Sequence, residues 1–282
     1  MSLYTLANPL PQITEPIVVA ALDGWVDAGS AATAVLDVLA ADGEIVATFD
    51  TDALFDYRAR RPTLEIRDGR LASLEWPSLT MRHNRFGGQS LLLLTGAEPD
   101  FRWHELAGDV MHLLRHLNVR GWISLGAIPA GVPHARPAPI LGTESEVGLL
   151  RGGVTAGPTG LMRVPSAALS MLEMTAGEAG IPAAGYFAQI PHYVTGPYAL
   201  GSLELLRTLE RHLGIDLPRG DLIEESGRLR LRLDAAVAAD ETTRTYVERL
   251  EAMVDEARQP AGEDLIGEIE KFLREGRTGD AS

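Results

Sequence analysis

The stretch from Ile17 to Asp50 constrains this chain more than any other. Ile17 to Leu22 is a short apolar run, the pattern of a strand buried on both faces. Asp23-Gly24-Trp25-Val26-Asp27-Ala28-Gly29 then breaks the run. Ser30 is the expected N-cap of a helix with Ala31, Ala34, Val35, Val38 and Leu39 among its apolar positions. Gly43 is placed to end that helix, and Ile45 to Phe49 reads as the next strand. A β-loop-α-β unit of this kind builds a parallel sheet covered by helices. Its first loop lies at the carboxyl end of a strand, where open α/β sheets place ligands.

Composition bounds the rest. At 282 residues the chain suffices for one large α/β domain, or a domain with an appendage. The net charge of −14 makes a surface that repels phosphate backbones, so no nucleic-acid partner is expected. No apolar run approaches the roughly 20 residues of a membrane span, and no membrane partner is expected. Residues 1–16 lack the basic and apolar regions of a signal peptide, which points to a cytoplasmic protein. The absence of cysteine excludes disulfides, thiolate nucleophiles and cysteine-ligated zinc. Lys271 is the only lysine and falls in a charged C-terminal stretch. A Walker A lysine, a kinase strand lysine and a Schiff-base lysine in the core are therefore missing. Neither G-x-S-x-G nor H-E-x-x-H occurs, and no metal or cofactor is expected.

Along the chain, residues 1–16 carry Pro9, Pro11 and Pro16 and read as an irregular lead-in. Tyr57-Arg58-Ala59-Arg60-Arg61 is the densest positive charge in an acidic chain. It reads as an anion clamp or as a surface turn paired with acidic neighbours or a partner subunit. Thr63 to His83 reads as a β-hairpin turning at Asp68-Gly69, suited to a subunit interface. Leu91 to Thr95, Trp122 to Leu125 and Ala184 to Ile190 read as further buried strands. Between them lies a helix over about 102–117. Its Asp109, His112 and His116 share one face, read as a solvated face rather than a metal site. Residues 138–164 read as short strands and turns, followed by a helix over about 166–179. Beyond Gly201 three helical stretches are expected: 202–213, a long one from 226 or 230 to 258, and 263–275. The organisation expected is an α/β core over 1–200 with a hairpin insertion at about 54–88, and a C-terminal helical segment over 201–282 packing on it.

Three loops with chemistry-bearing side chains follow apolar strands: Asp23/Asp27, His134/Arg136 and His192/Tyr193. If those strands are parallel, the loops share one rim. That convergence is the residue-level case for a pocket.

These segments resemble a known family. Gly24 to Gly29, Phe55 to Pro62, Glu98 to Trp103, Gly126-Ala127-Ile128-Pro129 with Pro133 to Pro137, Gly157-Pro158-Thr159-Gly160 and Pro191-His192-Tyr193 are similar to signature segments of the proteasome assembly chaperone 2 family, in its actinobacterial branch. The resemblance implies a phosphorylase/hydrolase-like core sheet flanked by helices, a β-hairpin insertion used for oligomerisation as trimers, and a C-terminal helical lid over a ligand pocket. The ligand-binding candidates are Gly24, Trp25, Tyr57, Arg58, Arg61, Ile128, Arg136, Thr159 and Tyr193. The sequence's last residues, Thr278 to Ser282, lack the hydrophobic-tyrosine-any motif of proteasome-binding members.

Three functional readings follow. The first is a non-enzymatic assembly or interaction protein with a protein partner. The second is a hydrolase or transferase acting on a nucleoside-like or carboxylate small molecule. There Asp23, Asp27, His134 and His192 are the catalytic candidates, a histidine serves as general base, and Arg58, Arg61 or Arg136 hold an anionic group. The third makes the signature residues architectural, with Asp27 capping a helix and Pro191-His192-Tyr193 locking a turn.

Overall fold

A computed structural model of the chain describes residues 2–258. The strands are β1 (Tyr4–Leu6), β2 (Ile17–Asp23), β3 (Glu44–Phe49), β4 (Thr63–Arg67), β5 (Arg70–Glu75), β6 (Leu79–Phe86), β7 (Gln89–Ala97), β8 (Gly121–Ala130), β9 (Ile140–Glu144) and β10 (Ala183–Pro191). The helices are α1 (Ala31–Ala40), α2 (Thr51–Leu54), α3 (Trp103–His116), α4 (Ala168–Glu178), α5 (Ala199–Leu213), α6 (Leu222–Ala239) and α7 (Glu241–Arg258). Packing divides the chain into two compact units, Met1–Leu233 and Asp234–Ser282.

Eight strands form one mixed sheet in the order β1-β3-β6-β7-β2-β8-β10-β9. The central block β7-β2-β8-β10 is parallel, and β6, β3, β1 and β9 are joined antiparallel at its two sides. The apolar runs in the central strands have a direct cause. Val18, Ala20 and Leu22 enter the core on one face, against α3 and α4, while Val19 and Ala21 enter the core on the other, against α1 and α5. In β7, Leu92 and Leu94 alternate with Leu91 and Leu93 in the same way. A strand with no solvent face has no place for a polar residue. Full burial of each such leucine contributes about 1.5–3 kcal/mol.

Several expectations change. The two-stranded sheet covers only β4 and β5. Leu79, Met81 and His83 instead alternate inward from β6, which lies in the main sheet between β3 and β7. Tyr4 to Leu6, within the expected lead-in, pairs with Phe49 to Ala47 as β1. The long helix expected to end at 258 is two helices. Asp240 interrupts it and caps the second, its Oδ1 accepting the Thr243 amide at 2.6 Å. α5 belongs to the core, with Leu205, Leu206 and Leu209 fully buried. The expected helix over 263–275 lies outside the described residues. No described helix is long and apolar enough to cross a membrane.

Candidate functional site

The parallel block brings the carboxyl ends of β2, β7, β8 and β10 to one rim. β3 runs the same way as β7, because β6 is antiparallel to both. The loops after β2, β3, β7, β8 and β10 therefore share that rim, which holds Asp23, Asp27, Arg58, Arg61, His134, Arg136, His192 and Tyr193.

Asp27 is 8% exposed and faces the start of α1. Its Oδ1 accepts the amides of Ala32 at 2.8 Å and Thr33 at 3.3 Å, and the Thr33 hydroxyl donates to Oδ2. Burial pushes this carboxyl above the ordinary range, against the pull of those hydrogen bonds. A helix N-terminus leaves amides without intrahelical partners, and Asp27 satisfies two of them. Ser30, the expected cap, makes no side-chain capping bond. A 3-10 turn over Ala28–Ser30 moves it into the left-handed region at φ 47.

Asp23 points outward. Its Oδ2 accepts from Arg60 at 2.9 Å, and the second Arg60 nitrogen reaches the Asp23 carbonyl at 3.3 Å. Arg58 is exposed, and its amide donates to Asp56. Arg60 turns toward the rim because its amide and that of Ala59 bond the Asp56 carbonyl. Sequence reasoning chose the neighbouring arginines, since only the turn geometry separates the three.

The residue that joins most of the rim was not among the candidates. Glu98, just past β7, accepts the Trp25 amide at 2.9 Å through Oε2 and the Ala168 amide at 2.7 Å through Oε1. Its own amide donates to the Asp23 carbonyl at 2.9 Å. One carboxylate thus ties the loop after β2 to the first residue of α4. Gly24 leaves room for it. Trp25 itself is 64% exposed, and Phe101 on the next loop is 49% exposed.

On the other half of the rim, His134 is 2% exposed. The Tyr193 hydroxyl accepts the His134 amide at 2.8 Å and shares a second hydrogen bond with His134 Nδ1, also at 2.8 Å. His192 Nδ1 faces the Ala130 carbonyl at 3.1 Å and donates to it. The Tyr193 ring stands edge-on to both histidines, 5.9 and 5.8 Å between centroids. Arg136 and Ile128 are half-buried nearby in chain, Ile128 pairing with Gln189.

A cavity of about 470 Å³ lies at the carboxyl ends of β2 and β7, beside the base of the β4–β5 hairpin. Asp23, Arg60, Arg61, Thr33 and Asp37 line it, with Trp76 at the hairpin base. Burial raises the Asp37 carboxyl above its ordinary range. Two guanidinium groups among hydroxyls and carboxylates suit a polar ligand bearing an anionic group. Of the predicted residues, only Asp23 and Arg61 line this cavity; the histidines do not. Tyr57 packs edge-on against Trp76 at 4.6 Å, its hydroxyl donating to Asp52. Thr159 is exposed in the turn after Ala156, which bridges Gly142 of the edge strand. Among the described residues no three His, Asp or Glu side chains are grouped to hold a metal. Asp109 instead accepts the Leu3 amide and the Ser2 hydroxyl.

Residues 21–237 match the sequence profile of the PAC2 family. No curated protein matches the chain. Among solved structures, a Mycobacterium tuberculosis protein of unknown function is 31% identical, with a TM-score of 0.85 over 91% of this chain and 92% of that one. A Corynebacterium glutamicum protein of unknown function is 28% identical, with a TM-score of 0.86 over 92% of this chain and 99% of that one. A Mycobacterium tuberculosis proteasome-assembly chaperone homologue is 30% identical, with a TM-score of 0.74 over 82% of this chain and 99% of that one.

Proposed function

The chain belongs to the PAC2 family, and on that premise we propose that it is an oligomeric assembly or interaction protein, a cytoplasmic homotrimer that self-associates through the β4–β5 hairpin. The hairpin carries the proposal. Every residue of both strands is exposed. Leu64 pairs with Leu74 and Ile66 with Leu71, which puts four apolar side chains on one hairpin face. They are 43%, 52%, 58% and 74% exposed in the order Leu64, Leu74, Ile66, Leu71. A two-stranded hairpin is marginal in water by itself, and a contiguous apolar face of this kind marks an interaction surface. The name of the 30% identical relative, a proteasome-assembly chaperone homologue, supports a role in protein association. The parallel block with its loops on one rim supports a phosphorylase/hydrolase-like core.

Sedimentation velocity of the purified full chain tests this reading. A wild-type species of three chains that the double substitution Ile66→Asp/Leu71→Asp reduces to one chain supports it. A wild-type monomer at micromolar concentration overturns it.

A second reading rests on the rim cavity. Arg60 and Arg61 beside Asp23 and Thr33 favour a hydrolase or transferase acting on a nucleoside-like or carboxylate molecule. A thermal-shift panel of nucleosides, inorganic phosphate and small carboxylates tests it. A ligand at about 100 times its dissociation constant adds nearly 3 kcal/mol of stability. A silent panel, or a shift that survives Arg61→Ala, counts against this second reading.

A further inference from the structure

Because every residue of β4 and β5 is exposed, the angle of the hairpin to the body is set at its two roots. Both roots are stiff. Pro62 immediately precedes β4, and Pro77 follows β5 by two residues. Each proline fixes its own φ and holds the residue before it, Arg61 or Trp76, to extended backbone.

The exit root is pinned to β7. The Ser78 carbonyl accepts the Ala97 amide at 2.8 Å. The approach is so close that a Cβ at Gly96, which has φ 141, would lie 2.0 Å from the Ser78 carbonyl oxygen. At the entry root, the Asp56 amide donates to Asp100 Oδ2 at 2.8 Å, and the amides of Ala59 and Arg60 close a turn on the Asp56 carbonyl. That turn delivers the Arg60 guanidinium to Asp23 Oδ2 on the body at 2.9 Å. The two roots are also joined to each other: the Tyr57 ring of the entry segment meets the Trp76 ring of the exit segment edge-on at 4.6 Å. The Tyr57 hydroxyl donates to Asp52 at 2.7 Å, which ties that ring to the body. Asp23, Arg60 and Trp76 line the rim cavity, so these contacts and the cavity share their residues.

We propose that the ion pair Arg60–Asp23 and the ring pair Tyr57–Trp76 are braces that hold the hairpin at the angle at which its apolar face meets a second copy of the chain. The inference rests on the self-association reading above and names the residues that position its contact face. The physical gain is pre-organisation. An arm ordered before contact loses less conformational freedom on contact, and that saving appears as affinity. Asp23 and Tyr57 lie on the body rather than on the hairpin, so they act as positioning residues through Arg60 and Trp76.

The test is sedimentation equilibrium of the full chain over a concentration series, which reads the association constant. Asp23→Asn is expected to weaken association by up to about fivefold per chain, the reach of a half-exposed ion pair. Tyr57→Ala is expected to weaken it by about two- to tenfold, the range of an aromatic pair, and Tyr57→Phe, which keeps a ring against Trp76, to retain most of it. Asp23→Arg alone is expected to weaken association, and the swap Asp23→Arg/Arg60→Asp to recover most of that loss. Tyr57→Leu takes the place of Tyr57→Ala if the latter does not fold. A wild-type oligomer that Ile66→Asp/Leu71→Asp dissociates, but that Asp23→Asn and Tyr57→Ala leave unchanged, overturns the bracing while the hairpin reading stands. A swap no better than Asp23→Arg alone, or a loss in Tyr57→Phe as large as in Tyr57→Ala, also overturns the bracing. A wild-type monomer overturns the hairpin reading, and the bracing falls with it.

Discussion

The carboxylate of Glu98 occupies the space where a side chain on Gly24 would begin: a Cβ there would lie 2.3 Å from Glu98 Oε2 and 2.6 Å from Glu98 Cβ. The two residues are 74 positions apart in the chain, yet each makes sense only through the other. Gly24 lets the carboxylate come close enough to bond Trp25 and Ala168. That contact holds the loop after β2 and the start of α4 in one arrangement.

Glu98→Ala is expected to destabilise the protein by about 1–3 kcal/mol, chiefly through the half-buried Ala168 amide left without an acceptor, the exposed Trp25 amide adding little. Gly24→Ala is expected to cost a similar amount alone and somewhat less in the Glu98→Ala background, because the contact with the carboxylate is then gone while that with Cβ at 2.6 Å stays. Urea unfolding of the four proteins checks this. Additive losses would show that the two residues do not act together.

Asp27 and Asp23 are expected to differ sharply despite lying four residues apart. Asp27→Ala removes the cap of α1 and costs about 0.5–2 kcal/mol. Asp23→Ala breaks a pair whose side chains are 64% and 31% exposed, worth at most about 1 kcal/mol after solvent screening. Denaturation midpoints decide between them, and equal losses would contradict the capping role.

Self-association is expected to weaken when Leu71, the most exposed apolar side chain of the hairpin, becomes Asp. The far-ultraviolet circular dichroism should not change, since no core contact is lost. Light scattering coupled to size exclusion reads the result. A variant with unaltered mass would move the interface elsewhere.

The Tyr186–His212 pair is expected to tie stability to pH. The Tyr186 hydroxyl accepts the Arg151 amide at 3.0 Å and is hydrogen-bonded to His212 Nδ1 at 2.7 Å. Burial, with Arg151 adding to it, lowers the His212 pKa. Below about pH 6.5 the unfolded chain takes up a proton that the folded chain refuses. The stability held by neutral His212 is thus present above that pH and lost as pH falls toward the lowered folded value. His83 acts in the same sense, its pKa lowered by burial and Arg85. Asp27 and Glu173, both raised, act oppositely. The comparison of interest is therefore wild type against His212→Gln. The loss in urea midpoint between pH 7.5 and pH 5 should be smaller in the variant.

How far the sequence could be read depended on the range of the contacts involved. The Asp68-Gly69 turn was legible because turn chemistry is local: both residues have positive φ, 49 and 74, as a tight hairpin turn demands. β6 was misread as part of that hairpin. Its alternation of buried and half-buried residues is equally that of a sheet strand, and only its pairing with β3 and β7 decides. Among the rim residues, three arginines in four positions were visible, but their directions were not.

By itself the sequence determined the β2-loop-α1-β3 unit and the buried runs of the central strands, and with them one shared rim on the condition that those strands run parallel. Those follow from two-sided apolar runs, helix periodicity and the direction in which strands of such a block must run. Tertiary structure alone decided what the rim residues do there. Asp27 turns inward to a helix end, and Arg60 rather than Arg58 reaches Asp23, 37 positions away. Glu98 spans 70 positions to Ala168. Hydrophobic pattern is a property of neighbouring residues, whereas a hydrogen bond between distant ones exists only after the sheet has brought their loops together.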